Sequence, residues 1–180
     1  MSMDFLLAYY TESFAFISEL GLWGYGLIFF ITAGDATILI GHFMTAVPFV
    51  FVAAVLAAQD YYSLLGMALA SVSGALTGSV VSYTVGRYAS NVVDRFPRIF
   101  SESRSAQAHE LFAKYRERTI LIGYFLGPIH AIVPFLAGIS RMGFYRFLLW
   151  NLLGSVIWTI SVLALGYIVY AVIILPAASI

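Results

Sequence analysis

Residues 123–140 read GYFLGPIHAIVPFLAGIS. The stretch is too apolar for a surface loop, yet Gly127-Pro128 stands in its middle, His130 follows and Pro134 lies beyond. Proline lacks a backbone donor and disfavours helix at the residue before it, so the chain is expected to turn here. The flanks say where it turns. Arg118 precedes the segment and Arg141 and Arg146 follow it, so both ends prefer the cytoplasm by the positive-inside rule. Residues 119–140 are about one membrane span in length, roughly 20 residues. With both ends on one side they cannot cross; they enter, turn and return. Broken backbone at membrane depth is tolerated only where protein or a water-filled cavity satisfies it. Gly127 and Pro128 are therefore expected at the tip of a re-entrant helical hairpin beside a buried polar pocket.

The composition supports the bilayer as solvent. The chain has 180 residues, of which 62% are hydrophobic and 10% charged. A soluble domain of this size has too little interior to hide that much apolar surface. The first 20 residues carry Asp4, Glu12 and Glu19 but no Lys or Arg, which argues against a signal peptide, since that would need a basic start. There is no cysteine, so disulfides, thiolate nucleophiles and cysteine metal sites are excluded. The net charge is zero and offers no argument for a nucleic-acid partner.

Outward from the opening segment, the chain divides into six pieces. Residues 1–20 read as an amphipathic N-terminal helix at the membrane surface. Residues 21–59, with Asp35 as their only charge, are long for one span and short for two, so a first re-entrant hairpin turning near Gly34 is expected. Residues 61–86 read as a transmembrane helix. Gly66, Ala70, Gly74, Gly78, Ser82 and Gly86 recur along one of its faces, where another backbone can approach closely, inside one subunit or across a dimer. Residues 87–118 hold seven of the nine basic residues and read as a cytoplasmic linker with a helix at 105–115. Then come the hairpin of 119–140 and a last span over 147–172. Run backwards from the cytoplasmic linker, the same charge logic makes the first hairpin enter from the outside. The fold class expected is therefore all-α integral membrane: two opposed re-entrant hairpins plus transmembrane helices in an inverted-topology repeat, with a site near the midplane.

Few residues can carry chemistry. Asp35 is an acid in an apolar stretch, which costs roughly 2.5–3.5 kcal/mol at a helix centre and marks ion or substrate paths; the bland alternative is a cap for a helix beginning at Ala36. His130 is either a protonatable ligand for a phosphate or a histidine bonded to a freed carbonyl. His42 follows Asp35 by seven residues and reads as structural. Tyr124 is core, or contacts ligand through its hydroxyl. Arg87, Arg141 and Arg146 snorkel or reach a lipid headgroup. No HExxH, GxSxG or Walker pattern is present, so no catalytic residue and no enzyme is expected. Three scattered histidines without an acidic cluster give no metal site, and no cofactor is implied.

Several stretches resemble DedA-type membrane proteins of the VTT (SNARE-associated) superfamily. GALTGSVVSYTVGRYAS (74–90) resembles their Gly-rich span ending in Gly-Arg. PFLAGISRMGFYRFLLWNLLGSVIWTISVLALGY (134–167) resembles the signature that follows, and AGDATILIG (33–41) resembles their first hairpin turn. The likeness runs from about residue 28 to residue 168. It implies two re-entrant hairpins facing each other and transport of a lipid phosphate, such as undecaprenyl phosphate or a phospholipid, across the bacterial inner membrane, with suspected proton coupling. The resemblance also implies arginines where this chain has Tyr124 and His130, a proline where it has Ala33, and a further acid upstream of Asp35. Arginine binds phosphate bidentately and is always charged. Their replacement leaves His130, Arg87 and backbone amides to hold an anion, with binding favoured at lower pH.

The reading is thus a flippase for a phosphate-bearing membrane lipid, with Asp35, His130, Tyr124 and Arg87 as substrate-binding or proton-coupling residues and Gly34, Gly127 and Pro128 at the hairpin turns. The alternative is a membrane scaffold that kept the fold and lost transport; a lipid phosphatase lacks any nucleophile signature. A homodimer is expected, because one small subunit has little bulk to seal a cavity.

Overall fold

A computed structural model describes residues 21–38, 40–41, 45–88, 118–127, 130–174 and 176. The N-terminal helix expected over 1–20, His42, Pro128 and nearly all of the linker (89–117) lie outside the described residues. Those described form α1 (Leu22–Ala36), α2 (Val47–Ala58), α3 (Leu64–Tyr88), α4 (Arg118–Gly123), α5 (Ile132–Ile139) and α6 (Phe144–Val169), with no strand among them. α3 and α6 are long and apolar enough to cross a membrane.

The two long helices run antiparallel and form a frame. Ser71 and Thr159 hydroxyls bond across it at 3.0 Å, and the Tyr83 and Phe147 rings stack at 4.4 Å nearer one end. Besides Met67, Tyr83, Phe147 and Leu163, the buried faces are small or polar: Ser71, Gly74, Gly78, Ser79 and Ser82 on α3, and Asn151, Gly154, Ser155, Thr159 and Gly166 on α6. Their outward faces carry Leu65, Leu69, Leu149, Leu153, Ile157 and Ile160. This inside-out pattern suits lipid, where helices associate by close backbone approach rather than by hiding leucine from water.

The shorter helices fill the frame in exchanged pairs. α1 packs on α3 and α2 on α6; α4 packs on α6 and α5 on α3. The small residues mark each crossing. A Cβ at Gly74 would collide with the Phe29 carbonyl and Thr32 of α1, and one at Gly86 with the Phe135 carbonyl of α5. On α6, Gly154 meets Tyr124 at the end of α4, and Gly166 meets Phe51 and Ala54 of α2. The small-residue face of α3 is therefore occupied inside the subunit.

These contacts fix the path of each pair. α1 begins beside Tyr62, where the Ser63 N–H donates to the Tyr25 hydroxyl, and runs inward along α3 to Ser82. α2 returns to the end it started from, where Asp60 caps it in the left-handed region at φ 60°. α4 starts at Arg118, turns through Gly127 at φ 57°, and α5 returns to the arginine-bearing end. Arg141 caps α5 at φ 54°, so both returning helices end alike: the Tyr61 N–H donates to the Leu56 carbonyl and the Met142 N–H to the Ala137 carbonyl. Pro134 sits in the first turn of α5, where a missing N–H costs nothing.

Two expectations are corrected. Gly34 does not turn the chain; it is helical, and α1 runs on to Ala36. The break starts at Thr37, whose backbone is extended and whose hydroxyl bonds back to the Ala33 carbonyl at 2.7 Å. A helix ending in β-branched Thr37 and Ile38 frays more readily there than at Gly34-Asp35, which α3 holds in place. Asp35 therefore lies in the last turn of a helix and caps nothing.

Candidate functional site: the meeting of two helix breaks

The break after α1 frees backbone groups that the frame must satisfy. Ser82 of α3 meets two of them: its Oγ donates to the Ala36 carbonyl (3.0 Å) and accepts from the Ile38 N–H (2.9 Å). A third, the carbonyl of Asp35, lies 2.9 Å from Nε2 of His130, across a sequence separation of 95 residues. His130 stands at the far side of the second break, just before α5. The two breaks thus meet.

Asp35 and His130 form the charged centre. Asp35 Oδ2 lies 3.3 Å from His130 Nε2, with the two side chains only 10% and 17% exposed. His130 Nδ1 lies 2.6 Å from the Gly127 carbonyl. Both ring nitrogens therefore face atoms that can only accept, a partner set that suits the imidazolium form with two N–H donors. The cation answers a local need. A carboxylate in the last turn of a helix faces the negative end of the helix dipole, so Asp35 gains nothing from α1 and depends on a partner from elsewhere.

Tyr124 and α6 form the neutral part. The Tyr124 hydroxyl donates to Asn151 Oδ1 at 2.8 Å and lies 3.5 Å from Ser79 Oγ. Among the described residues, two fully enclosed polar atoms in this region have no hydrogen-bond partner: Asp35 Oδ1 and Asn151 Nδ2. Buried polar groups are rarely left unpaired.

Of the residues singled out from sequence, the structure brings Asp35 and His130 together with Gly127 beside them, and places Tyr124 next to them against Asn151. Arg87 lies elsewhere. Its guanidinium donates to the Tyr83 hydroxyl (2.9 Å) and the Met142 carbonyl (3.3 Å), exposed at the end of the frame. Sequence reasoning missed Ser79, Ser82 and Asn151. Asn151 left a usable signal, an amide in a helix otherwise lined with apolar and small residues, whereas Ser79 and Ser82 looked like packing residues. α1 reaches the site between Gly78 and Ser82 of α3, about 3–9 Å from the middle of that helix and about 9–15 Å from its Tyr88 end at 1.5 Å per residue. Among the described residues no three His, Cys, Asp or Glu side chains converge to hold a metal.

The VTT domain family matches residues 46–168, a range that includes Tyr124, His130 and Asn151. Protein DedA of Escherichia coli (strain K12) is 26% identical over 169 residues, covering 92% of this chain and 77% of that protein. An uncharacterized membrane protein of Mycobacterium tuberculosis is 32% identical over 108 residues, 57% of this chain and 50% of its own. Inner membrane protein YqjA of Escherichia coli (strain K12) is 30% identical over 92 residues, 50% of this chain and 42% of its own. No solved structure matches.

Proposed function

This chain belongs to the VTT domain family and is an integral membrane protein, and from that premise we propose that it is a flippase for a phosphate-bearing lipid, such as undecaprenyl phosphate or a phospholipid, in the bacterial inner membrane. It catalyses no covalent step. The observation that carries this reading is the buried Asp35–His130 pair joining two helix breaks. An ionisable pair at a discontinuity inside a membrane protein has little structural purpose, since an apolar contact would pack as well at less cost.

In this reading the α1–α2 and α4–α5 pairs are re-entrant hairpins that enter from opposite faces, and the chain is an inverted-topology repeat. Three features support it: the exchanged packing of the short helices, the alternation of crossings at Gly74 and Gly86 with those at Gly154 and Gly166, and the matching caps at Asp60 and Arg141. The end bearing Arg87, Arg118, Arg141 and Arg146 is cytoplasmic. Transport rocks one hairpin against the other, breaking and remaking the Asp35–His130 contact as a proton arrives and leaves. Tyr124 and His130 contact the headgroup in the opened state. With the small-residue face of α3 already occupied, the homodimer rests on the small bulk of one subunit.

A second reading, a scaffold without transport, is favoured by one observation: Tyr124 and His130, at positions where the resemblance implies arginine, both bond to protein groups. One experiment separates the two readings. A labelled phosphate lipid is followed across liposomes containing the purified protein, with a pH gradient imposed or absent and Asp35→Asn alongside. Movement that responds to the gradient and stops in Asp35→Asn is expected. Movement no faster than in empty liposomes, with folded protein and several lipids, would leave the scaffold.

A further inference from the structure

The interior of the frame is a polar layer closed at both ends. Between Met67 and Tyr83 every buried residue of α3 is Ser, Gly or Ala, and between Phe147 and Leu163 every buried residue of α6 is Asn, Gly, Ser or Thr. The four side chains that bound this layer are large. Met67 and Leu163 belong to an apolar cluster with α1 and α2, and Tyr83 and Phe147 to another with Ile120 of α4 and with Val133 and Ala137 of α5. Asn151 Nδ2, enclosed in the layer and without a hydrogen-bond partner among the described residues, is a group that water would satisfy. The clusters at the two ends stand between it and water.

The two clusters differ. Among the described residues the Met67–Leu163 cluster holds ten buried side chains and the Tyr83–Phe147 cluster five, so the second is the thinner seal. It is also tied to the second hairpin. The Tyr83 ring stacks on Phe147 at 4.4 Å, and its hydroxyl donates to the Met142 carbonyl. The N–H of Met142 donates in turn to the Ala137 carbonyl near the end of α5. One residue thus links the returning helix to the ring that closes the frame. Arg87 also donates to the Tyr83 hydroxyl, from an exposed side chain that water can replace. We infer that the Tyr83–Phe147 stack is a gate between the polar layer and the water at the arginine-bearing end, worked by α5 through Met142. The inference rests on the transporter reading above for the movement of α5. An apolar constriction stays dry while its rings touch and wets when they part. As α5 moves, the Met142 carbonyl draws the Tyr83 ring off Phe147. Tyr83 is a positioning residue: it touches no headgroup and acts by letting water in.

The chain has no cysteine, so Ser79→Cys, one turn inward of Tyr83 on α3, carries a single thiol. Its modification by a membrane-impermeant methanethiosulfonate bearing a trimethylammonium group is timed in inside-out and in right-side-out membrane vesicles. In Ser79→Cys alone the thiol should react slowly from either side. Adding Tyr83→Phe keeps the ring and removes its tether. The rate from the cytoplasmic side should then rise about fivefold, the effect of one ordinary hydrogen bond on the open fraction. Adding Phe147→Ala instead should raise it further. The rate from the outside should change in neither, whereas a fold that is merely loosened admits reagent from both sides. A thiol in Ser79→Cys alone that reacts as fast as free cysteine would overturn the gate. So would an unchanged rate in Tyr83→Phe, or a rise from the outside, alone or as well. If Phe147→Ala fails to fold, Tyr83→Phe still decides. Lipid plays no part in this readout, so the two ideas fail separately. The one-sided rise in a protein that moves no labelled lipid across liposomes would remove transport and leave the gate; lipid movement without the rise would remove the gate and leave transport.

Discussion

Two helix breaks meet at the site, and they are held differently. The second is made by its own residues: the Phe125 and Leu126 N–H groups bond to Ile122 and Gly123, the His130 N–H bonds to Gly127, and Gly127 takes a positive φ that suits it. The first has local bonds too, from the Thr37 N–H to Gly34 and from the Ile40 and Gly41 N–H groups to Thr37, but it also borrows partners, with Ser82 of α3 holding Ala36 and Ile38, and His130 holding Asp35. The second break supplies His130 and the first carries Asp35. A charge placed on the first break makes its geometry answerable to the other half of the molecule.

The largest effect should come from cutting that dependence. His130→Leu leaves the Asp35 carboxylate buried without its partner and should lower stability by about 3–5 kcal/mol, read by denaturant unfolding in detergent; adding Asp35→Asn should recover most of it. If His130→Leu is harmless, the first break does not depend on the second. The frame comes next. Gly78→Ala drives a methyl into the Ala33 carbonyl, which cannot swing away, and should cost about 3 kcal/mol. Ser82→Ala orphans the groups it serves at the first break and should cost about 2 kcal/mol; no such loss is expected at the second break, which has no counterpart to Ser82 among the described residues. Gly154→Ala pushes only on the Tyr124 ring, a side chain that can move, so about 1 kcal/mol is expected; a loss as large as that for Gly78→Ala would show the two halves to be equally rigid. The smallest effect belongs to Arg87→Gln. Exposed at the end of the frame, where it bonds to Tyr83 and Met142, Arg87 should change neither Tm nor lipid movement measurably.

Much of the frame was legible from sequence because its cause is local. Long apolar runs with recurrent small residues give α3 and α6, and Gly127 beside Pro128 in an apolar stretch signals a break. Asp35 was legible for the same reason, as an acid with no local excuse. What decides the site was not local. His130 meets Asp35 across 95 residues, and no periodicity reports such a pairing. Ser82 could not be told from its small neighbours, since a hydroxyl that replaces a lost helix bond looks the same in sequence as one that lets helices approach. Gly34 misled for a related reason: glycine permits a turn, but where α3 packs against the helix the turn waits for Thr37.

The central claim is that Asp35 and His130 act as one unit in moving lipid. A double-mutant cycle read on the gradient-driven movement of a labelled phosphate lipid in liposomes tests it most directly. Asp35→Asn and His130→Gln should each stop movement, and the double variant should be no slower than either alone. Independent, additive losses, or full movement in His130→Gln, would contradict it.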